Sequence, residues 1–287
     1  MGVFSAKNGK LSVNGGTSAM ASVRSINIDY QSTQPEGNMS GANQGAPVSV
    51  AGPTDFTGEI GIYGKTFNLL PTATFNFEAS NGTEIATGAA IVESCDLRCS
   101  IQSGGLLEGT IRFGGNGALT ISSSATSMTD TAVPEAYGSV VCKASWGPIA
   151  ASPTMADISD VTEWTLQYQS NTNAFVTSGS TAGATRRNAG ALQGCTATVN
   201  VLNSAPSGLQ TANMLPGQYG ELRLYVTATE FFAIRWMGVT GLRETVPIER
   251  GENVELQAGF KWSSYRPISG TQTVGYIKNP ATSTIWP

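Results

Sequence analysis

Val23-Arg24-Ser25-Ile26-Asn27-Ile28-Asp29-Tyr30-Gln31-Ser32 recurs further along the chain as Val161-Thr162-Glu163-Trp164-Thr165-Leu166-Gln167-Tyr168-Gln169-Ser170, at an offset of 138. In each segment apolar residues alternate with polar ones, Ile26, Ile28 and Tyr30 in the first, Trp164, Leu166 and Tyr168 in the second. A period of two places one set of side chains on one face, so both segments read as half-buried strands. Each runs into a stretch rich in Gly, Ser, Thr, Asn and Ala, at 31–55 and 169–194, predicted to be a long loop. Each stretch ends on another alternating segment, Phe56–Ile62 and Cys195–Val201.

The correspondence continues downstream. Leu70-Pro71 corresponds to Leu215-Pro216, and Phe75-Asn76-Phe77 to Leu222-Arg223-Leu224 at an offset of 147. At the same offset Ile101 meets Ile248, Gly104 meets Gly251, Leu107 meets Val254 and Phe113 meets Phe260. Self-similarity in a fixed order is the mark of a repeat. It predicts a mainly β chain of two tandem modules, 1–121 and 138–263, joined by a Ser/Thr-rich connector at 122–137. A C-terminal arm, 264–287, carries Pro267, Pro280 and Pro287. Each module reads as an antiparallel sandwich or rolled sheet with one short α-helix, over 63–70 and 209–215, stopped by a proline. Asn81-Gly82 is a predicted turn between strands, since this pair readily adopts positive φ. Ser103-Gly104-Gly105 and Arg250-Gly251-Glu252-Asn253 separate the last two strands of each module.

Composition removes whole classes of chemistry. The 287 residues include no histidine, which excludes Ser-His-Asp and Cys-His nucleophiles, His-ligated zinc and imidazole switches. The net charge of −4, spread along the chain, offers no basic patch for gripping nucleic acid. No apolar run approaches the ~18–20 residues of a membrane-spanning helix. The start, Met1-Gly2-Val3-Phe4-Ser5-Ala6-Lys7, lacks the features of a signal peptide, so synthesis in a host cytoplasm is expected. Four cysteines, at 95, 99, 142 and 195, match neither a zinc ribbon nor a redox motif and are expected to be small buried hydrophobes.

Other motifs favour structural readings. Gly114-Gly115-Asn116-Gly117 has the look of a phosphate loop, but Leu119-Thr120-Ile121 continues as strand and no Lys-Ser/Thr follows. Glu78, Glu84, Glu93, Asp96 and Glu108 supply carboxylates for a glycosidase pair, yet nothing in their spacing separates them from solvated strand residues. Asn38-Met39-Ser40 and Asn81-Gly82-Thr83 fit the glycosylation sequon by chance. Trp146, Trp164, Trp236, Trp262 and Trp286 raise the alternative of a carbohydrate-binding face. Trp164 and Trp262 fall at inward positions, and Trp286 reads as an anchor onto a neighbouring subunit. No catalytic, cofactor-binding or metal-binding residue is predicted, and the chain is not expected to be an enzyme.

The first module ends Gly105-Leu106-Leu107-Glu108-Gly109-Thr110-Ile111-Arg112-Phe113-Gly114-Gly115-Asn116-Gly117-Ala118-Leu119-Thr120. This resembles the closing strand of the tail tube (major tail) proteins of long-tailed bacteriophages, in which alternating apolar residues run into a Gly-x-Gly-x-Leu ending. The segment 91–101 resembles the partner strand, and the early strand followed by a long Gly-rich loop resembles the family order. The second module ends Glu255-Leu256-Gln257-Ala258-Gly259-Phe260-Lys261-Trp262-Ser263, without the glycine pair, and so departs from the motif.

The resemblance implies a structural virion protein with two fused modules per chain, assembling as trimeric rings of pseudo-sixfold symmetry. Stacked rings would form the tail tube, with DNA passing through the lumen without specific binding. Further partners would be the tape measure, terminator and distal tail proteins, with no membrane involved. The stretches 31–55 and 169–194 exceed the ~12–15 residues usual for structureless connections and are expected to order on contact with the adjacent ring. The first carries Glu36 and Asp55, the second Arg186 and Arg187, a charge difference suited to setting register between rings. The alternatives are another phage structural protein (capsid decoration or tail terminator) or a carbohydrate-binding β protein.

Overall fold

Ile26 and Ile28 are buried while Arg24, Asn27 and Asp29 beside them face outward, as a period of two requires. The computed structural model describes residues 9–17, 23–32, 36–38, 47–49, 52–64, 74–102, 104–124, 128–129, 142–149, 153–176, 183–203, 214–226, 231–245, 254–263, 277–278 and 285–286. In chain order the first strands are β1 (Lys10–Val13), β2 (Val23–Ser32), β3 (Glu36–Asn38), β4 (Pro47–Ser49), β5 (Thr54–Gly64), β6 (Thr74–Ser80), β7 (Ile85–Ser100), β8 (Leu107–Gly115) and β9 (Thr120–Ser122). The later ones are β10 (Lys143–Pro148), β11 (Ala156–Ile158), β12 (Val161–Phe175), β13 (Arg186–Asn203), β14 (Tyr219–Tyr225), β15 (Phe231–Thr245), β16 (Val254–Trp262), β17 (Ile277–Lys278) and β18 (Ile285–Trp286). The protein is mainly β, and these strands pair with one another antiparallel throughout.

Sixteen strands share one sheet, whose main path runs β11-β10-β14-β15-β16-β13-β12-β7-β8-β5-β2. β6, itself paired with β1, and β9 branch from β7, and β17 branches from β15, while β3 and β4 form a separate ribbon. The N-terminal strands therefore pair in the order β2-β5-β8-β7-β6-β1, and the later ones in the order β12-β13-β16-β15-β14-β10. Register irregularities fall at matching places. β2 and β5 slip between Val23 and Ser25, and β12 and β13 slip between Val161 and Glu163, the same sites at the first sequence offset of 138. β7 and β8 slip between Val92 and Ser94, and β15 and β16 slip between Val239 and Gly241, the same sites at the second offset of 147.

The correspondence slips at β14. Phe75 pairs with Ala90, and Gly220 pairs with Met237, the counterpart of Ala90 at the second offset. Phe75 thus stands at the place of Gly220, and the expected match to Leu222 is out of register. The slip of two residues is already present at Gly220, and a bulge between Gly220 and Glu221, with Trp236 opposite it at φ 68°, shifts the register by one more.

The sheet curls on itself. β6 and β5 are three ladder steps apart, roughly 14 Å if flat, yet the Phe77 and Phe56 rings lie 5.9 Å apart, edge to face. Phe75 meets Phe113 at 5.6 Å, and further along Trp146 on β10 meets Phe260 on β16 at 5.4 Å. One contiguous cluster of buried side chains, from Leu11 to Phe260, fills the fold. Trp146, Trp164 and Trp236 are buried, and Trp262 packs against the cluster.

Several expectations change. No α-helix occurs among the described residues; Tyr63 and Gly64 close β5, while 65–70 and 209–213 lie outside them. The segment 169–194 is mostly a strand hairpin, because β12 continues to Phe175 and β13 begins at Arg186. Its backbone ladder carries the hairpin although Asn171, Asn173, Ala174 and Phe175 are exposed, so no apolar alternation announces it. Within 31–55, β3 and β4 pair Glu36 with Ser49, and β5 starts at Thr54. In the connector, Ser122 closes β9 and Met128 is buried, its carbonyl accepting from Lys10 Nζ at 2.9 Å. The Asn81-Gly82 turn forms as expected, with Gly82 at φ 97° and Asn81 Oδ1 accepting from the Thr83 and Glu84 amides at 2.9 and 2.8 Å.

Candidate assembly surface

Where the two series of strands meet, β12 lies along the C-terminal half of β7, from Glu163 opposite Ser100 to Gln169 opposite Ser94. Alternation sorts this seam into two faces. Trp164, Leu166 and Tyr168 meet Cys99, Leu97 and Cys95 inside, and all six are buried. Trp164 Nε1 donates to the Tyr225 carbonyl at 3.2 Å, which satisfies its buried polar atom. Outside, Arg98 Nη2 donates to Glu163 Oε2, and the pair holds the Arg98 pKa above its ordinary value. Ser170 Oγ reaches the Val92 and Glu93 carbonyls, both at 3.1 Å, where β7 bulges.

Beside that bulge lies a buried charge cluster. The Arg187 side chain, only 7% exposed, forks onto Asp55 at 2.7 and 2.8 Å and reaches Glu93 Oε1 at 3.1 Å. It also donates to the Gly115 carbonyl at 2.7 Å. Burial works against its charge, but hydrogen bonds and attraction from Asp55 and Glu93 lift its pKa above the ordinary value. Thr172 Oγ1 donates to Glu93 at 2.9 Å, and the Arg187 amide donates to Asn116 Oδ1 at 3.0 Å.

This cluster explains the Gly114-Gly115-Asn116-Gly117 run. A Cβ on Gly114 would strike Arg187 and Glu93, and one on Gly115 would lie 2.5 Å from the Phe56 ring. The run is a dock for the start of β13, with Gly117 N donating to the Thr185 carbonyl at 2.9 Å. The sequence suggests contacts between rings for Asp55 and Arg187; in the structure they bind each other within one chain. Their separation of 132 residues hides the pairing from any local pattern. Of the other two charges in those stretches, Arg186 is exposed and the side chain of Glu36 lies outside the described residues.

Of the remaining candidates, Asp96 and Glu108 line one open groove together with Glu59, Arg24 and Arg98. Asp96 lies 3.7 Å from Arg112, which also approaches Glu59 at 3.5 Å. Glu84 accepts from Asn81, Glu108 on β8 stands opposite Arg98, and Glu78 on β6 stands opposite Thr87. Among the described residues no group of His, Cys, Asp and Glu is arranged to hold a metal. The four cysteines are buried thiols outside any disulfide, as expected of small hydrophobes. Burial pushes Cys95 and Cys195 up to about 12.

Two strand edges offer the counterpart of the seam. β2 pairs only with β5, and residues 241–245 of β15 pair only with β16, among the described residues. Tyr30 on the first edge is 47% exposed and Leu242 on the second 38%. The residues at the same two offsets, Tyr168 and Cys95, lie in the filled seam at 3% and 1%.

Fold and edges define the class: an antiparallel β protein whose curled sheet, among the described residues, leaves the β2 edge and the end of β15 without a further strand. No protein-family model and no curated protein matches the chain. Among solved structures, it is similar to a chain in the tail of an empty gene transfer agent particle, determined with helical refinement in C6 symmetry. That similarity has a TM-score of 0.35 and 8% identity over 45% of this chain and 96% of that one. A chain in the virion of a native gene transfer agent particle is similar at a TM-score of 0.29 and 16% identity, over 39% of this chain and 95% of that one.

Proposed function

We propose that the protein is a structural virion subunit that joins copies of itself head-to-tail into closed rings, which stack as a phage-type tail tube around a passage for DNA. The supporting observation is the recurrence of strand order and bulge position along the chain, with one seam between the two series filled and the matching edges open. Residues 1–121 and 138–263 are then modules from a duplication, joined by 122–137 and followed by the arm 264–287. A head-to-tail contact whose rotation closes makes a ring, and a closed sheet has no edge left to aggregate. Three chains would supply six modules and a pseudo-sixfold ring. Tape measure, terminator and distal tail proteins would meet the ends of the stack. An acidic chain suits a duct that lets a polyanion slide without gripping it.

Negative-stain microscopy of the purified chain over a concentration series tests this directly. Hollow rings or tubes are expected, together with concentration-dependent mass in light scattering. Monomers at every concentration would overturn the assignment.

A further inference from the structure

We propose that the outer edge of β2 in one copy pairs with residues 241–245 of β15 in the next, antiparallel, with Asp29 opposite Arg243 and Tyr30 opposite Leu242. This rests on the ring-forming reading above and specifies its contact.

The filled seam is the template. β7 carries β6 along its N-terminal half and β12 along its C-terminal half on the same side, with a bulge at Glu93 between them. β15 carries β14 along its N-terminal half and bulges at Thr240 in the same way. Its remaining edge thus stands where β12 lies on β7. β12 corresponds to β2 through the shared bulge at Thr162 and Arg24. Transferring the register sets Asn27 opposite Thr245, Ile28 opposite Glu244, Asp29 opposite Arg243, Tyr30 opposite Leu242 and Gln31 opposite Gly241.

The residues suit that register. Tyr30 and Leu242 are among the exposed large apolar residues, and the register covers each with the other. Asp29 and Arg243, both exposed, become a directly opposed pair of opposite charge. Ile28 against Glu244 replaces Leu166 against Leu97, so the contact between copies is the more polar of the two seams.

Charge also selects the seam. If β2 took the place of β12 on β7, Asp29 would stand opposite Asp96, where Gln167 now stands. Like charges directly opposed disfavour that exchange. β12 instead brings Glu163 to Arg98. The pairs Arg98–Glu163 and Asp29–Arg243 thereby keep the two kinds of junction distinct around a ring.

The test combines charge reversal with crosslinking in the full chain. Asp29→Arg alone and Arg243→Asp alone should each raise the concentration for half-assembly about tenfold, and the double reversal should return it to within about threefold of the original. Tyr30→Cys with Leu242→Cys should give, on oxidation, a ladder of covalent multimers, since directly opposed strand residues lie within disulfide reach. Tyr30→Cys with Arg243→Cys, which faces the other way, should not. If native rings form but neither rescue nor ladder is seen, this contact is wrong and the assembly reading stands. If the native chain never assembles, both fall. A ladder and rescue without closed rings support the contact and remove the ring.

Discussion

Replacing Arg187 by methionine tests whether the buried charge cluster joins the two series of strands. Methionine keeps the aliphatic stem and deletes the guanidinium, whose Nε and Cζ are the Arg187 atoms closest to a Cβ placed on Gly114. The fork to Asp55, the contact with Glu93 and the bond to the Gly115 carbonyl are then all lost. Removing one partner of a buried ion pair costs about 3–5 kcal/mol, because the remaining charge is left uncompensated. Here Asp55 and Glu93 keep 36% and 31% of their side-chain surface in water, which places the loss near the lower end, about 3 kcal/mol. For a chain of this size that corresponds to a fall in melting temperature of about 6–12 °C.

Urea unfolding followed by tryptophan emission is the assay, since Trp146, Trp164 and Trp236 are buried. The decisive comparison adds Asp55→Asn and Glu93→Gln to Arg187→Met. If uncompensated charge is the cause, the triple variant regains at least half of the lost stability. A loss under about 1 kcal/mol in the single variant, or a triple variant no better than the single, would refute this account.

Gly114→Ala should destabilise by about 1–3 kcal/mol in the same assay, through overpacking against Arg187 and Glu93; Gly104→Ala, whose Cβ meets nothing, reports the backbone cost of positive φ alone. Deleting 36–50 removes the β3–β4 ribbon, which is outside the main sheet, so the melting temperature should hold while tube growth fails under the microscope. Unfolding of that variant would show that the ribbon supports the fold. Burial holds Cys95 and Cys195 at about 12 against an ordinary 9.0. The unfolded thiols therefore ionise first, and stability falls as pH rises from about 9 toward 12. Urea titrations at about pH 8 and about pH 10.5 should show a smaller decline when both cysteines are replaced by alanine, and an equal decline would refute it.

Period-two alternation is a local signal and is legible at once: Ile26, Ile28 and Tyr30, like Trp164, Leu166 and Tyr168, announce strands wherever one face is packed. The Asn81-Gly82 turn is equally legible, because positive φ restricts the residue choice. Strand without a packed face is not. Ser170–Phe175 and Arg186–Asn188 are held by their own ladder and show no apolar rhythm, so they read as loop. Partnerships across the chain are hidden for a different reason. Arg187 and Asp55 both stand out as charges, but a salt bridge is a property of three-dimensional register. The available signal is the glycine pair at 114–115: adjacent glycines inside an otherwise bulky strand mean that something large approaches closely.

The glycine pair also distinguishes the seam within the chain from the proposed contact between copies. At the offset of 147, Thr240, Lys261 and Trp262 stand where Glu93, Gly114 and Gly115 do. The carboxylate and both glycines are gone together, as they would be if they serve one purpose. Within a chain, Arg187 is always near its partners, so its desolvation is met during folding by groups that cannot diffuse away. A junction between copies enjoys no such tether. A guanidinium buried there would sit uncompensated in every free subunit or cross the solvent boundary at each encounter, at a cost of several kcal/mol. An exposed pair such as the one proposed between Asp29 and Arg243 would escape that cost and steer approach instead. It is also screened by salt, whereas the largely buried cluster is screened much less. Raising the salt from about 0.05 to about 0.5 M should therefore raise the concentration for assembly several-fold while leaving the urea midpoint of the single chain nearly unchanged. Equal sensitivity in both measurements would mean that the two junctions do not differ in this way.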